Sequence, residues 1–173
     1  MSPLHISRTT TRDDYETPQE LVARLRPCPD VDLCATEANR KCAKYLDEEA
    51  DALDRVKIWP HGTAAWCNPP FSKKFEFLDI IIDRRNFYHV TYVLLPNNIR
   101  ETKLWRKLVV PYADEIWNLT PRVNFLLDGQ EVKGVGFASC LVLYRARSFT
   151  PIGPQMPREA YFAWKRLDER SNR

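Results

Sequence analysis

Glycine is scarce in this chain: there are five, and the first is Gly62. Glycine lets a backbone approach a ligand closely. A glycine-rich turn after an early strand is therefore excluded, and a ligand seated there would meet Ala35 and Thr36 instead. A Cys-x-x-Cys pair is also lacking. The five cysteines (28, 34, 42, 67 and 140) stand among apolar neighbours, and the three histidines (5, 61 and 89) show no ligand spacing with them. That argues against a zinc site and reads as reduced, mostly buried thiols. No apolar run reaches membrane-spanning length and no signal-peptide pattern opens the chain, so a cytoplasmic protein is expected. Nor does one sign of charge dominate. The net charge of +3 and the pI near 8.6 permit a polyanionic partner without demanding one.

Proline, by contrast, is plentiful, with 13 residues, and it is concentrated to most effect in Ala65-Trp66-Cys67-Asn68-Pro69-Pro70-Phe71-Ser72. Trp66 and Cys67 end a short apolar run, as the last residues of a buried strand do. Neither proline can donate a backbone N–H, so sheet pairing stops there. The chain then leaves at the sheet's carboxyl edge, where open α/β sheets bind ligands. The Asn68 carboxamide oxygen can accept one hydrogen of a planar exocyclic amine, and the Pro69 carbonyl can accept the other. Drawing both hydrogens out of the ring plane concentrates the nitrogen lone pair on the opposite side. Phe71 offers a face for a stacked base, a contact worth roughly 1–3 kcal/mol. The plainer alternative is a proline turn after a strand, with Asn68 as a local cap.

With these residues the sequence resembles the amino-methyltransferases that use S-adenosylmethionine, whose motif is (Asp/Asn/Ser)-Pro-Pro-(Tyr/Phe). More closely, it is similar to the small phage-type DNA N6-adenine methyltransferases. The likeness includes Tyr15-Glu16-Thr17-Pro18, Asp32-Leu33-Cys34-Ala35 with Asn39, and Asp51-Ala52-Leu53. Beyond the proline turn it continues through Leu94-Leu95-Pro96, Thr102 with Trp105, Arg122 with Phe125, and Ser139-Cys140-Leu141-Val142-Leu143. The resemblance implies a Rossmann-like α/β methyltransferase domain with a mostly parallel, reduced sheet. It implies methyl transfer from S-adenosylmethionine to N6 of adenine in DNA, with Asn68, Pro69, Pro70 and Phe71 catalytic. Tyr15, Thr17, Pro18, Asp32, Cys34, Ala35, Asp51 and Leu53 are the implied cofactor contacts. Phe71, Ser72, Lys73, Asn98 and Arg122 are the implied substrate contacts. Of the acidic group Glu48, Glu49, Asp51 and Asp54, only Asp51 is followed by the family's leucine two residues on. The same tetrapeptide also serves enzymes acting on cytosine N4, RNA or a glutamine amide, and a catalytically silent DNA-binding relative would carry it too.

Along the chain, residues 1–14 are polar and are expected to form a flexible arm. Residues 15–150 are expected to form the methyltransferase domain. Thr17 suits an N-cap and Pro18 a first helical position, so a cap and a cofactor contact compete for the same residue. Residues 31–35 read as the first core strand and 39–46 as the helix after it. Phe75, Phe77, Leu78, Ile81 and Ile82 mark a helical stripe, and 90–95 the clearest buried strand. Leu104, Trp105 and Leu108 suggest a further helix. The loop 128–136 holds three of the five glycines and is expected to be a substrate-facing lid. After the prolines 151, 154 and 157, a basic helix over the remainder is expected to pack on the domain through Tyr161, Trp164 and Leu167; contact with nucleic acid is the rival reading of that tail. No separate recognition domain is expected in this length, so loops, the basic tail or a second subunit are expected to read the DNA, a homodimer being one way to gain contact area. For a phage-encoded chain the compartment is the bacterial host's cytoplasm.

Overall fold

The computed structural model describes residues 13–133, 135–147 and 156–165. Its centre is a seven-stranded sheet in the order β2-β1-β3-β4-β8-β5-β9. The strands are β1 (Val31–Asp32), β2 (Lys44–Tyr45), β3 (Ala64–Cys67), β4 (Val90–Pro96), β5 (Glu115–Thr120), β8 (Ser139–Arg145) and β9 (Arg158–Ala163). All run parallel except β8, which is antiparallel to both β4 and β5. A separate hairpin joins β6 (Leu126–Leu127) to β7 (Gln130–Glu131). The Asp128–Gly129 pair makes its turn, both residues having positive φ, at 50° and 74°, as a tight two-residue hairpin requires.

Covered on both faces, the sheet has central strands that are apolar throughout rather than alternating. Every residue of β4 is buried. Val93 and Leu95 join Cys140, Val142 and Tyr144 on the face covered by helix α2 (Lys74–Asp83) and a π-helical turn, Trp105–Val109. Val90, Tyr92 and Leu94 join Leu141 and Leu143 on the other face, under Leu21, Val22 and Leu25. Among the described residues that face carries only the short helix α1 (Gln19–Ala23), so loop residues Val123, Phe125, Val132 and Trp164 complete its cover. The fold is thus Rossmann-like and reduced in its helices. Among the described residues no helix is long and apolar enough to cross a membrane.

Three expectations are corrected. Residues 39–46 are not a helix: the chain turns there and then pairs as β2. The Thr36 N–H donates to Asn39 Oδ1, and the Lys41 N–H to Asp32 Oδ2. Such side-chain acceptors offer the backbone an alternative to a helical ladder. Residues 158–163, expected within a basic helix, form β9 beside β5. Phe162 stacks on Trp117 at 5.1 Å between ring centres, while Tyr161 points outward, 84% exposed. That inward–outward alternation is a strand's period. Leu167, the other anchor expected in the tail, lies outside the described residues. Finally, Thr17 does not cap α1. Pro18 occupies the capping position in an extended conformation, and no side chain caps the helix.

Candidate active site

The short β1 and β3 end side by side, and their carboxyl ends define the site. Asp32 closes β1 and is 2% exposed. Its carboxylate accepts from the backbone N–H groups of Cys34 (3.2 Å) and Lys41 (3.0 Å). Burial nevertheless pushes its carboxyl up to about 6, because desolvation outweighs the two hydrogen bonds. Burial likewise raises the Cys34 thiol to about 12, so it stays neutral at physiological pH.

At the end of β3 the two prolines stop the ladder and Asn68 projects from the edge. Its Nδ2 donates to the Tyr15 carbonyl at 2.9 Å. A carbonyl can only accept, so this contact fixes which way the carboxamide points. The Asn68 Oδ1 is thereby left as an acceptor, and the Pro69 carbonyl receives no backbone hydrogen bond among the described residues. The segment before α1 forms the opposite wall. Asp13 accepts from Ser72 through both its N–H (3.0 Å) and its hydroxyl (2.5 Å), and these bonds hold its carboxyl below the usual range. Glu16 pairs antiparallel with Leu126. Tyr15 stacks on Phe125 at 5.5 Å and meets Phe71 edge-on at 6.3 Å.

These walls enclose a cleft of roughly 1150 Å³. Tyr15, Thr17, Asp32, Cys34, Ala35, Asp51 and Leu53 all line it, together with Asn68, Pro70, Phe71, Ser72 and Lys73. Thr17 is 1% exposed, and its hydroxyl has no hydrogen-bond partner among the described residues. Asp51 holds a φ of 38° and accepts from the Leu53 N–H, leaving its other carboxylate oxygen without that bond. Pro18 is not on the wall of the cleft. Asn98 and Arg122 are exposed beyond the ends of β4 and β5, at the same sheet edge but outside the cleft.

Behind the proline turn lies a second, smaller cavity. It is lined by Asn68, Pro69, Phe71, Lys74 and apolar residues that include Phe125 and Phe137. Its volume of about 10 Å³ has room for about one water molecule. Asn68, Phe71 and Lys74 line both cavities and mark where they meet.

The profile of the family described as DNA N-6-adenine-methyltransferase (Dam) matches residues 6–166. The chain belongs to that family. A curated relative, the DNA N-6-adenine-methyltransferase of Escherichia phage T1, is 32% identical over 88 residues, which are 49% of this chain and 36% of the relative. The aligned stretch thus spans about a third of that relative's length.

Two residues of this family member's site escaped the reading of its sequence. Asp47 lies just past β2 on the wall of the cleft, its Oδ1 accepting from the Ala50 N–H. An acidic residue at the end of the second strand is a nucleoside-binding position in doubly wound folds. With β2 hidden inside an expected helix, that signal was lost. Asp13 falls within the polar stretch expected to be an arm, and its partner Ser72 is remote in sequence.

Proposed function

We propose that this chain transfers a methyl group from S-adenosylmethionine to the N6 amino group of adenine in DNA. The observation that carries the reading is the Asn68 carboxamide, oriented by the Tyr15 carbonyl with its oxygen left to accept at the junction of the two cavities. An acceptor-only oxygen beside a backbone carbonyl is matched to an NH2 group and to no anion.

The larger cleft suits the cofactor. Thr17 offers it a buried hydroxyl with no partner among the described residues, and Asp32 a carboxylate that is ionised above about pH 6 and can face an ammonium. Asp51 offers an acceptor for amino or hydroxyl hydrogens, and Tyr15, Cys34, Ala35 and Leu53 supply the walls. When bound, S-adenosylmethionine supplies a methyl group on a sulfonium, an electrophile strong enough to make a strong base unnecessary. Asn68 Oδ1 and the Pro69 carbonyl would hold the two amine hydrogens, which concentrates the nitrogen lone pair on the side opposite them. As the nitrogen bonds the methyl carbon, the carbon–sulfur bond would break to release a neutral thioether, and the nitrogen's extra proton would pass to water.

An adenine inside a duplex stack is out of reach of Asn68, so the base is flipped out to stack on Phe71. Asn98 and Arg122 stand exposed on the same edge and suit contacts to the DNA around it. The test is incubation with tritiated S-adenosylmethionine and unmethylated genomic DNA, followed by nucleoside digestion and chromatography. Label is expected in the N6-methyladenine nucleoside; label in N4-methylcytosine would change the target base, and none in DNA would refute the reading. Asn68→Ala is expected to abolish transfer while calorimetry shows cofactor affinity retained within about threefold; lost affinity would instead mean that Asn68 belongs to the cofactor site.

A further inference from the structure

Lys74 opens α2, three residues past Phe71. A helix start carries partial positive charge and favours acidic side chains, so the helix itself gains nothing from a lysine there. Its side chain folds back instead of extending into solvent. The ammonium lies 4.5 Å from the centre of the Phe71 ring and donates to the Phe71 carbonyl. Burial lowers its pKa and the Asp13 carboxylate opposes that shift; the group is half-buried, beside the point where the two cavities meet.

A cation over an aromatic ring is attracted by the ring's negative face. One face of Phe71 is therefore taken by Lys74, while Tyr15 and Phe137 pack against the ring at steep angles, 80° and 73°. The Phe71 carbonyl is tied to the same ammonium, so ring and backbone of the catalytic turn are held by one group. We infer that Lys74 is a positioning residue for methyl transfer: it holds Phe71 so that the opposite ring face receives the target base beside Asn68. This rests on the function proposed above. It assigns Lys74 to the ring, not to DNA phosphate, to which a lysine near this turn would otherwise be attributed.

The experiment compares wild type, Lys74→Met and Lys74→Arg, each also in a Phe71→Leu background. It measures kcat and KM with tritiated S-adenosylmethionine and unmethylated genomic DNA, and cofactor affinity by calorimetry. Lys74→Met, similar in length but uncharged, is expected to lower kcat about tenfold and leave cofactor affinity within about threefold. Lys74→Arg is expected to recover most of the rate, since a guanidinium also sits over an aromatic face. In the Phe71→Leu background the Lys74→Met loss should shrink below about threefold, because the ring it acts through is gone. An equal loss in both backgrounds overturns the inference, as does a Lys74→Met effect confined to KM for DNA. Equal rates for wild type and Lys74→Met overturn the role of Lys74 alone, whereas a wild-type chain that labels no DNA overturns the proposed function and this inference with it. Should Lys74→Met fold poorly, Lys74→Gln in the same cycle decides between the same outcomes.

Discussion

The Thr17 hydroxyl is buried on the wall of the cleft with no partner among the described residues. Such a position costs a polar group about 1–3 kcal/mol of desolvation. A helix cap would have satisfied it, but α1 begins without a side-chain cap. Thr17→Val keeps the shape and removes the orphan. It is expected to leave stability unchanged or about 1 kcal/mol higher by urea unfolding, and to weaken cofactor binding about threefold to tenfold by calorimetry. A parallel loss of stability would return the hydroxyl to a structural role. At this scale the sequence was informative wherever the chemistry is local. Asn68 was legible because two prolines beside an amide permit few other uses. What it did not reveal was the Tyr15 carbonyl that orients that amide, 53 residues away in the chain.

At the scale of elements, the second cavity is filled by the protein's own rings. Phe137 packs on Phe71 at 5.6 Å and near Phe125 at 5.9 Å. A purine cannot enter a space that holds about one water molecule unless a side chain moves. Phe137 is the better placed of the two rings to move: it is half-buried, whereas Phe125 is 2% exposed. Phe137→Ala is expected to lower KM for DNA about threefold or more while cofactor affinity holds, since the base no longer displaces a ring. A fall in kcat at unchanged KM would mean instead that Phe137 stacks on the bound base. The first part of the loop 128–136 belongs to a hairpin, and its Asp-Gly pair carries the local signal for that turn. Helix α2 is legible from its apolar period, and strand β4 from an unbroken run of strand-forming residues stopped by Pro96. The 39–46 helix was misread because turn-forming side chains there compete with a weak apolar pattern.

For the whole molecule, β9 matters more than its composition suggests. It extends the sheet past β5, and Trp164 follows it into the core, 3% exposed with its indole N–H donating to the Pro121 carbonyl at 2.8 Å. Phe162 covers Trp117, and Glu115 on β5 pairs with Arg145 on β8 and Arg158 on β9. These contacts attach the terminal strand to the same body that carries the site. Trp164→Ala is expected to cost about 3–5 kcal/mol of stability, read as a lower urea midpoint with the unfolding slope retained. A loss below about 1 kcal/mol would mean that the sheet closes without this anchor.

The sequence by itself determined the parts whose chemistry is written in adjacent residues. These were the Asn-Pro-Pro-Phe turn, the buried strands around it, the Thr17 and Asp-Ala-Leu positions on the cleft, and with them the family. Tertiary structure decided what depends on distant partners. It placed Asp13 on Ser72, Tyr15 on Asn68 and β9 on β5, and it set Asp32 in surroundings that raise its pKa. It also packed Phe137 into the space behind Asn68. Local pattern reports a residue's period and conformational preference, whereas these pairings depend on where remote segments meet once the core has formed.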